Sequence, residues 1–175
     1  MKVLGLVGWS GSGKTTLLTA LVPIFRARGL SVSTIKHAHH GFDMDRPGKD
    51  SYRHRAAGAA EVLVMGGSRW ALLHEMAGPP PPFEALLGRL APVDLVLVEG
   101  FKSHPYPKIE VYRPALGKPP IWPEQPGVLA VATDGEAPGA PIRLPLDDPP
   151  SVADWALHLL AELEDYAAVL EPGRP

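Results

Sequence analysis

Apolar residues fall along this chain in two rhythms that alternate from one end to the other. Unbroken apolar runs at residues 2–8 (KVLGLVG), 93–100 (VDLVLVEG) and 128–134 (VLAVATD) have the length and continuity of buried strands. Between them, residues 15–29 (TTLLTALVPIFRARG) put Leu17, Leu18, Leu21, Ile24 and Phe25 on one helical face closed by Gly29. Pro23 removes a hydrogen bond inside that helix and predicts a bend. Residues 30–37 (LSVSTIKH) read as a second strand, and residues 48–59 as a short helix behind a polar loop. Residues 60–65 and 69–76 flank Gly-Gly-Ser in the manner of a hairpin, and residues 82–91 suit a helix. In residues 108–113 (KIEVYR), Ile109 and Val111 alternate with Lys108, Glu110 and Tyr112. That half-buried pattern suits either an isologous contact between two copies or an internal strand. Ser151 and Asp154 fit a capping box ahead of a closing amphipathic helix with Val152, Trp155, Leu159, Leu163 and Leu170. Strands alternating with helices predict an α/β fold: a mostly parallel, doubly wound sheet with a β-hairpin extension.

The 175 residues fit one compact domain, residues 1–175, large enough for a real core. The proline-rich stretches 78–83 and 113–127 are too short for domain linkers and read as stiff surface loops. A formal net charge of −2 argues against a general affinity for nucleic acid or an anionic membrane. No apolar run reaches the length of a membrane span and the start lacks the features of a signal peptide, so the expected location is cytoplasmic. Without cysteine there is no disulfide, thiolate metal site or Cys nucleophile. Asparagine is absent too, and Gln125 is the only glutamine, a composition associated with heat-adapted proteins.

The first apolar run leads into LVGWSGSGKTT, residues 6–16. Gly8, Gly13, Lys14 and Thr15 match G-x-x-x-x-G-K-[ST], in which backbone N–H groups curl around phosphate oxygens, the lysine reaches the β- and γ-phosphates, and the hydroxyl faces Mg²⁺. Strand, glycine-rich turn and helix start together form an anion site, because the orphan N–H groups and the helix dipole point the same way. The nucleotide-binding candidates are therefore Gly8, Trp9, Ser10, Gly11, Ser12, Gly13, Lys14, Thr15 and Thr16, with Mg²⁺ as the accompanying cation.

Glu99 ends the most buried-looking strand on its carboxyl side, where open α/β sheets bind ligands. It can orient the metal or its waters beside Thr15, or polarise an attacking water as a catalytic group. Asp94 begins the same strand, at the wrong edge for the phosphates. Residues 36–55 gather Lys36, His37, His39, His40, Lys49, Arg53 and Arg55 around Asp43, Asp45 and Asp50. The segment follows the second strand, where P-loop proteins keep a segment that answers to the γ-phosphate. There Lys36, His37, Lys49 and Arg53 can face a second phosphorylated ligand or a partner, and Asp50 can complete the metal shell. Asn-Lys-x-Asp, the usual guanine reader, cannot occur without asparagine, which weakens a signalling GTPase switch. Asp134 ends another strand and can accept guanine N1–H and N2–H together, or simply form a turn with Gly135. A small-molecule kinase shares the P-loop and a base such as Glu99, with Arg53 and Arg55 as candidates for its lid.

The P-loop GWSGSGKTT, then TIKHAHHGFDMDRPGKDSYRHRAAGA, LVLVEGFK, PKIEVYR and the ATD ending, in that order, resemble the MobB family, the adaptor of molybdopterin-guanine dinucleotide biosynthesis. The similarity runs from Lys2 to about Asp134. It implies a P-loop protein that prefers GTP with Mg²⁺, forms a homodimer, and assists the molybdenum cofactor guanylyltransferase, with molybdopterin itself as a further candidate ligand. It also implies at most weak GTP hydrolysis. Related dimeric NTPases often carry a second lysine early in the loop; Trp9 and Ser10 stand there in this chain.

Overall fold

The computed structural model describes residues 1–38 and 41–163. Leu170, assigned above to the closing helix, and His39 and His40 of the basic stretch lie outside the described residues. The chain divides into two compact units, one made of residues 1–37 and 90 onward, the other of residues 38–89.

The first unit is a six-stranded sheet in which every neighbouring pair is parallel. Strand β1 (Lys2–Val7) leads to α1 (Lys14–Ala27) and β2 (Val32–Lys36). After the second unit, which holds α2 (Asp50–Ala56), β3 (Glu61–Met65), β4 (Trp70–His74) and α3 (Phe83–Leu87), come β5 (Leu95–Glu99), β6 (Lys108–Tyr112), β7 (Val128–Thr133), β8 (Arg143–Pro145) and α4 (Pro149–Glu162). The spatial order is β2-β5-β1-β6-β7-β8. One face of the sheet offers Leu4 and Leu6 from β1, Leu95 and Leu97 from β5, Ile109 and Val111 from β6, and Ala130 and Ala132 from β7. These pack with Leu17, Leu21 and Phe25 of α1 and Val152, Ala156 and Leu160 of α4. The period of two along each strand thus meets the 3.6-residue stripe of each helix.

The opposite face is closed in part by irregular chain, which needs polar groups of its own to satisfy its backbone. Tyr106 is fully buried, and its ring lies so close to Gly5 that a β-carbon there would fall 2.6 Å from it. Trp122 packs with Val7 and Val131. The buried Lys108 ammonium donates to the carbonyls of His104 and Tyr106, the latter at 2.9 Å, and so closes the turn that carries Tyr106. The buried Glu110 carboxylate accepts from the backbone N–H groups of Ile121, at 2.9 and 3.0 Å, and Trp122, at 2.9 Å. Burial pushes the Lys108 pKa down and the Glu110 pKa up; the N–H groups facing Glu110 partly oppose its shift.

These contacts decide between the two readings that the sequence left open for residues 108–113. Strand β6 lies inside the sheet, between β1 and β7, with Lys108 and Glu110 turned into the protein, so it offers no edge for an isologous contact. The closing helix also begins earlier than the proposed capping box. Asp148 is its cap, accepting from Ser151 N–H at 3.4 Å and from the Ser151 hydroxyl at 2.5 Å, with Pro149 and Pro150 in the first turn. Asp154 instead meets Arg28 at 2.5 Å. Helix α1 runs through Pro23 unbroken. Strand β8, only three residues long, lacked a recognisable apolar run.

In the second unit, α2 (Asp50–Ala56) precedes an antiparallel hairpin of β3 (Glu61–Met65) and β4 (Trp70–His74), followed by α3 (Phe83–Leu87). Arg55 draws two acidic groups of this unit together: it pairs with Glu75 at 2.6 Å and Asp43 at 2.8 Å, and those two carboxylates raise its pKa. Among the described residues, no helix is long and apolar enough to cross a membrane.

Replacing Glu110 by alanine leaves the Ile121 and Trp122 N–H groups buried without an acceptor. The expected loss is on the order of 3 kcal/mol, read as a lowered denaturant midpoint. Because the fold raises the pKa of Glu110, its charged form is the disfavoured one, and Glu110→Gln, which keeps one acceptor without the charge, is expected to lose less than half as much.

Candidate functional site

Residues 8–13 join β1 to α1 at the carboxyl edge of the sheet. Gly8 permits the first bend: a β-carbon there would lie 2.5 Å from the Val111 carbonyl oxygen and 2.7 Å from Ser12 Oγ. Gly13 caps α1 in the left-handed conformation, and no side chain caps the helix, so its first-turn N–H groups remain available to an anion. Ser10, Thr15 and Thr16 are exposed at this mouth, whereas Ser12 is buried. Lys14 folds back over the loop, its ammonium 2.8 Å from the Trp9 carbonyl. Burial lowers the Lys14 pKa; Glu99 opposes the shift, and Lys102 and Lys36 reinforce it.

Strand register brings the next groups together. Leu6 pairs with Glu99 across β1 and β5, and Glu99 pairs with Lys36 across β5 and β2. Glu99 is thereby buried at the end of β5, beside the start of α1. Thr15 Oγ1 donates to its carboxylate, 2.9 Å from one oxygen and 3.0 Å from the other, and Lys36 Nζ lies 3.4 Å from Oε1. A hydroxyl and a carboxylate in contact, next to a lysine and free helix N–H groups, form the oxygen-rich set that suits a hard cation accompanying phosphates. His37 follows β2; its N–H donates to the Glu99 carbonyl at 2.9 Å, and its ring stacks on Phe101.

On the other side of β1 stands Arg113, just past the end of β6. Its Nε donates to the Ser12 carbonyl at 3.0 Å, and its guanidinium pairs with the Asp134 carboxylate at the end of β7. Asp134 is therefore at a strand's carboxyl end, as read from the sequence, and already bound to an arginine that also holds the loop. Lys49, Asp50 and Arg53 belong to the second unit and are exposed there. Arg55, a candidate lid residue, is taken up by Asp43 and Glu75. Asp94 accepts from Ser31 N–H at 2.8 Å and from its hydroxyl at 2.6 Å, holding the amino ends of β2 and β5 together.

Sequence reasoning passed over Arg113 and Lys102. Each lies shortly beyond the carboxyl end of a strand that flanks β1, a position that was itself the available signal. Among the described residues no group of His, Asp and Glu side chains has the arrangement of a separate metal site.

Residues 3–134 match the family model described as molybdopterin guanine dinucleotide synthesis protein B, MobB. The chain is 42% identical over 160 residues to the molybdopterin-guanine dinucleotide biosynthesis adapter protein of Haemophilus influenzae, covering 87% of this chain and 86% of that protein. It is 40% identical over 160 residues to the Escherichia coli protein of the same description, covering 89% and 91%. Among solved structures, Bacillus subtilis MobB superposes with a TM-score of 0.69 at 28% identity, over 93% of this chain and all of that one. A MobB homologue from Bacillus stearothermophilus gives 0.68 at 25% identity, again over 93% and 100%. The α/β sheet expected from the sequence is thus the MobB fold, and the chain belongs to the MobB family of adapter proteins in molybdopterin-guanine dinucleotide biosynthesis.

Proposed function

We propose that this chain is a cytoplasmic, homodimeric GTP-binding adapter that holds GTP with Mg²⁺ on its 8–16 loop and assists the guanylyltransferase of the molybdenum cofactor. The observation that carries the nucleotide reading is the contact of Thr15 with both Glu99 oxygens beside Lys14, at a helix start free of side-chain caps. Thr15 and Glu99 would hold Mg²⁺, directly or through its waters, and the ion would neutralise charge on the β- and γ-phosphates. Lys14 adds a point charge at the same phosphates, and the backbone N–H groups of residues 8–16 orient them. Glu99 is engaged by Thr15 and Lys36, which favours holding the cation over drawing a proton from water. Turnover of GTP is accordingly slow: Arg113, the arginine beside the loop, is directed to Asp134 and a backbone carbonyl.

Asp134 reads the base in this scheme. Arg113 occupies one side of its carboxylate, and the remaining lone pairs can accept guanine N1–H and N2–H. Adenine presents no such donor pair. Lys36 and His37 supply donors for the phosphate of molybdopterin or for an acidic partner surface, and the second unit separately exposes Lys49 and Arg53 as partner-facing cations.

Self-association is supported by the hairpin. Cross-strand pairs Met65 with Trp70 and Leu63 with Leu72 share one face, all four are exposed, and Met65 reaches 81%. A contiguous apolar face of this kind, bordered by the Glu61–His74 pair at 2.8 Å, marks an interaction surface.

Lys14→Ala is expected to weaken GTP binding about a hundredfold, on the order of 2–3 kcal/mol, without lowering the thermal midpoint. Titration calorimetry on the variant decides this, and undiminished affinity would remove the loop from consideration. Asp134→Ala should erase the preference for GTP over ATP in a competition assay while triphosphate binding persists; a mutant that keeps the preference, or a wild type without one, refutes the base assignment. By light scattering the protein should run as a dimer that Met65→Glu with Trp70→Glu converts to monomer. Mixed with the guanylyltransferase, it should raise product output. Fast phosphoryl transfer to a small hydroxyl compound without that partner would replace the adapter reading with a kinase.

A further inference from the structure

Beyond Glu99 the backbone makes an unusual turn. Gly100 has φ +102°, and a β-carbon there would sit 2.9 Å from His37 Cβ. Phe101 follows with φ +49°, a left-handed conformation that a bulky residue adopts only when its surroundings impose it. Those surroundings are visible. The Phe101 ring stacks on His37 with centroids 4.6 Å apart and meets His104 edge-on at 5.2 Å. Its carbonyl accepts from His104 N–H and the Tyr106 hydroxyl, each at 3.3 Å. The consequence of this held turn is the position of the next residue: Lys102 lies back across the 8–13 loop, its ammonium 4.4 Å from the Trp9 ring centroid.

We infer that Lys102 is a phosphate ligand for the outermost phosphate of a bound nucleoside triphosphate, delivered by the strained turn after β5. The inference rests on the nucleotide reading given above and deepens it. Three features of the site support it. First, Lys102 comes from the same side of β1 as Glu99 and Lys36, whereas Arg113 and Asp134, the base end, come from the other side. The β5 side is therefore the end of the terminal phosphate and its cation. Second, the ammonium rests on a flat aromatic face, an arrangement that steadies a long side chain while leaving ammonium donors for an anionic ligand. Third, the local charge has a surplus. Lys14 and Lys36 share one carboxylate, Glu99, and the repulsion of Lys102 and Lys36 is felt at Lys14. A polyphosphate tail relieves that surplus, and a triphosphate relieves it more than a diphosphate does. The sequence has no lysine at Trp9; its ring is the platform for one supplied from elsewhere in the same chain.

The experiment measures the affinities of a non-hydrolysable GTP analogue and of GDP, both with Mg²⁺ and at fixed ionic strength, for the wild-type protein, Lys102→Ala and Lys102→Arg. Lys102→Ala is expected to weaken the analogue roughly tenfold while GDP changes less than about twofold, and Lys102→Arg is expected to recover most of the loss. An unchanged thermal midpoint in Lys102→Ala confirms that the effect is local. Equal loss of both ligands, or no loss of either, overturns the assignment of Lys102 while leaving the nucleotide reading intact. A wild-type protein that binds neither ligand overturns both.

Discussion

Parallel pairing in a single register is the constraint on which the site depends. Leu6, Glu99 and Lys36 occupy one row across β1, β5 and β2, so the end of each strand is fixed relative to the others by main-chain hydrogen bonds. Since side chains alternate faces along a strand, a slip of one residue would turn Glu99 away from Thr15 and send its apolar neighbours to the wrong side. The continuous burial of β1 and β5 penalises such a slip on both faces at once. Core packing and site geometry are consequently the same requirement, met by the same hydrogen bonds.

The two interior charges of β6 perform a related task for the irregular chain beside the sheet. Lys108 and Glu110 are near neighbours in sequence and fully inside the protein, yet their principal partners are backbone groups: carbonyls for the cation, N–H groups for the anion. Burying charge is costly, and the cost is tolerable where the charge meets main-chain dipoles that would otherwise be unsatisfied. The segment at 104–106 and that at 121–122 are thereby fixed without a helix or strand of their own. Both border the loop, through Phe101 and Lys102 in one case and through Pro119, whose carbonyl accepts from Trp9 Nε1 at 2.7 Å, in the other.

Much of this was legible from residue order. Apolar runs located β1, β5 and β7, the amphipathic period located α1, and the loop pattern with Glu99 located the cluster of Lys14, Thr15 and Glu99, because these signals are local or depend only on the rule that ligands gather at the carboxyl edge of a parallel sheet. The start of α4 was displaced because Asp148 and the two prolines after it make a stronger stop and cap than Ser151 with Asp154. KIEVYR was ambiguous for a physical reason: alternation of charged and apolar residues ordinarily signals a wet face, and only the tertiary partners of Lys108 and Glu110 reveal that this one is dry. The Arg113 bridge was likewise invisible, since it joins residues 101 and 21 positions apart.

That bridge bears on how the site would respond to time as well as to chemistry. Arg113 links the Ser12 carbonyl to Asp134 within the folded chain itself, so the loop and the far strand end are ordered relative to each other by folding. The conformational entropy of assembling them is lost then, and the proposed nucleotide would meet a cradle already assembled, whose closure it need not drive. Selectivity for the proposed base would then lie in how long the ligand stays, with the rate of arrival much the same for right and wrong bases.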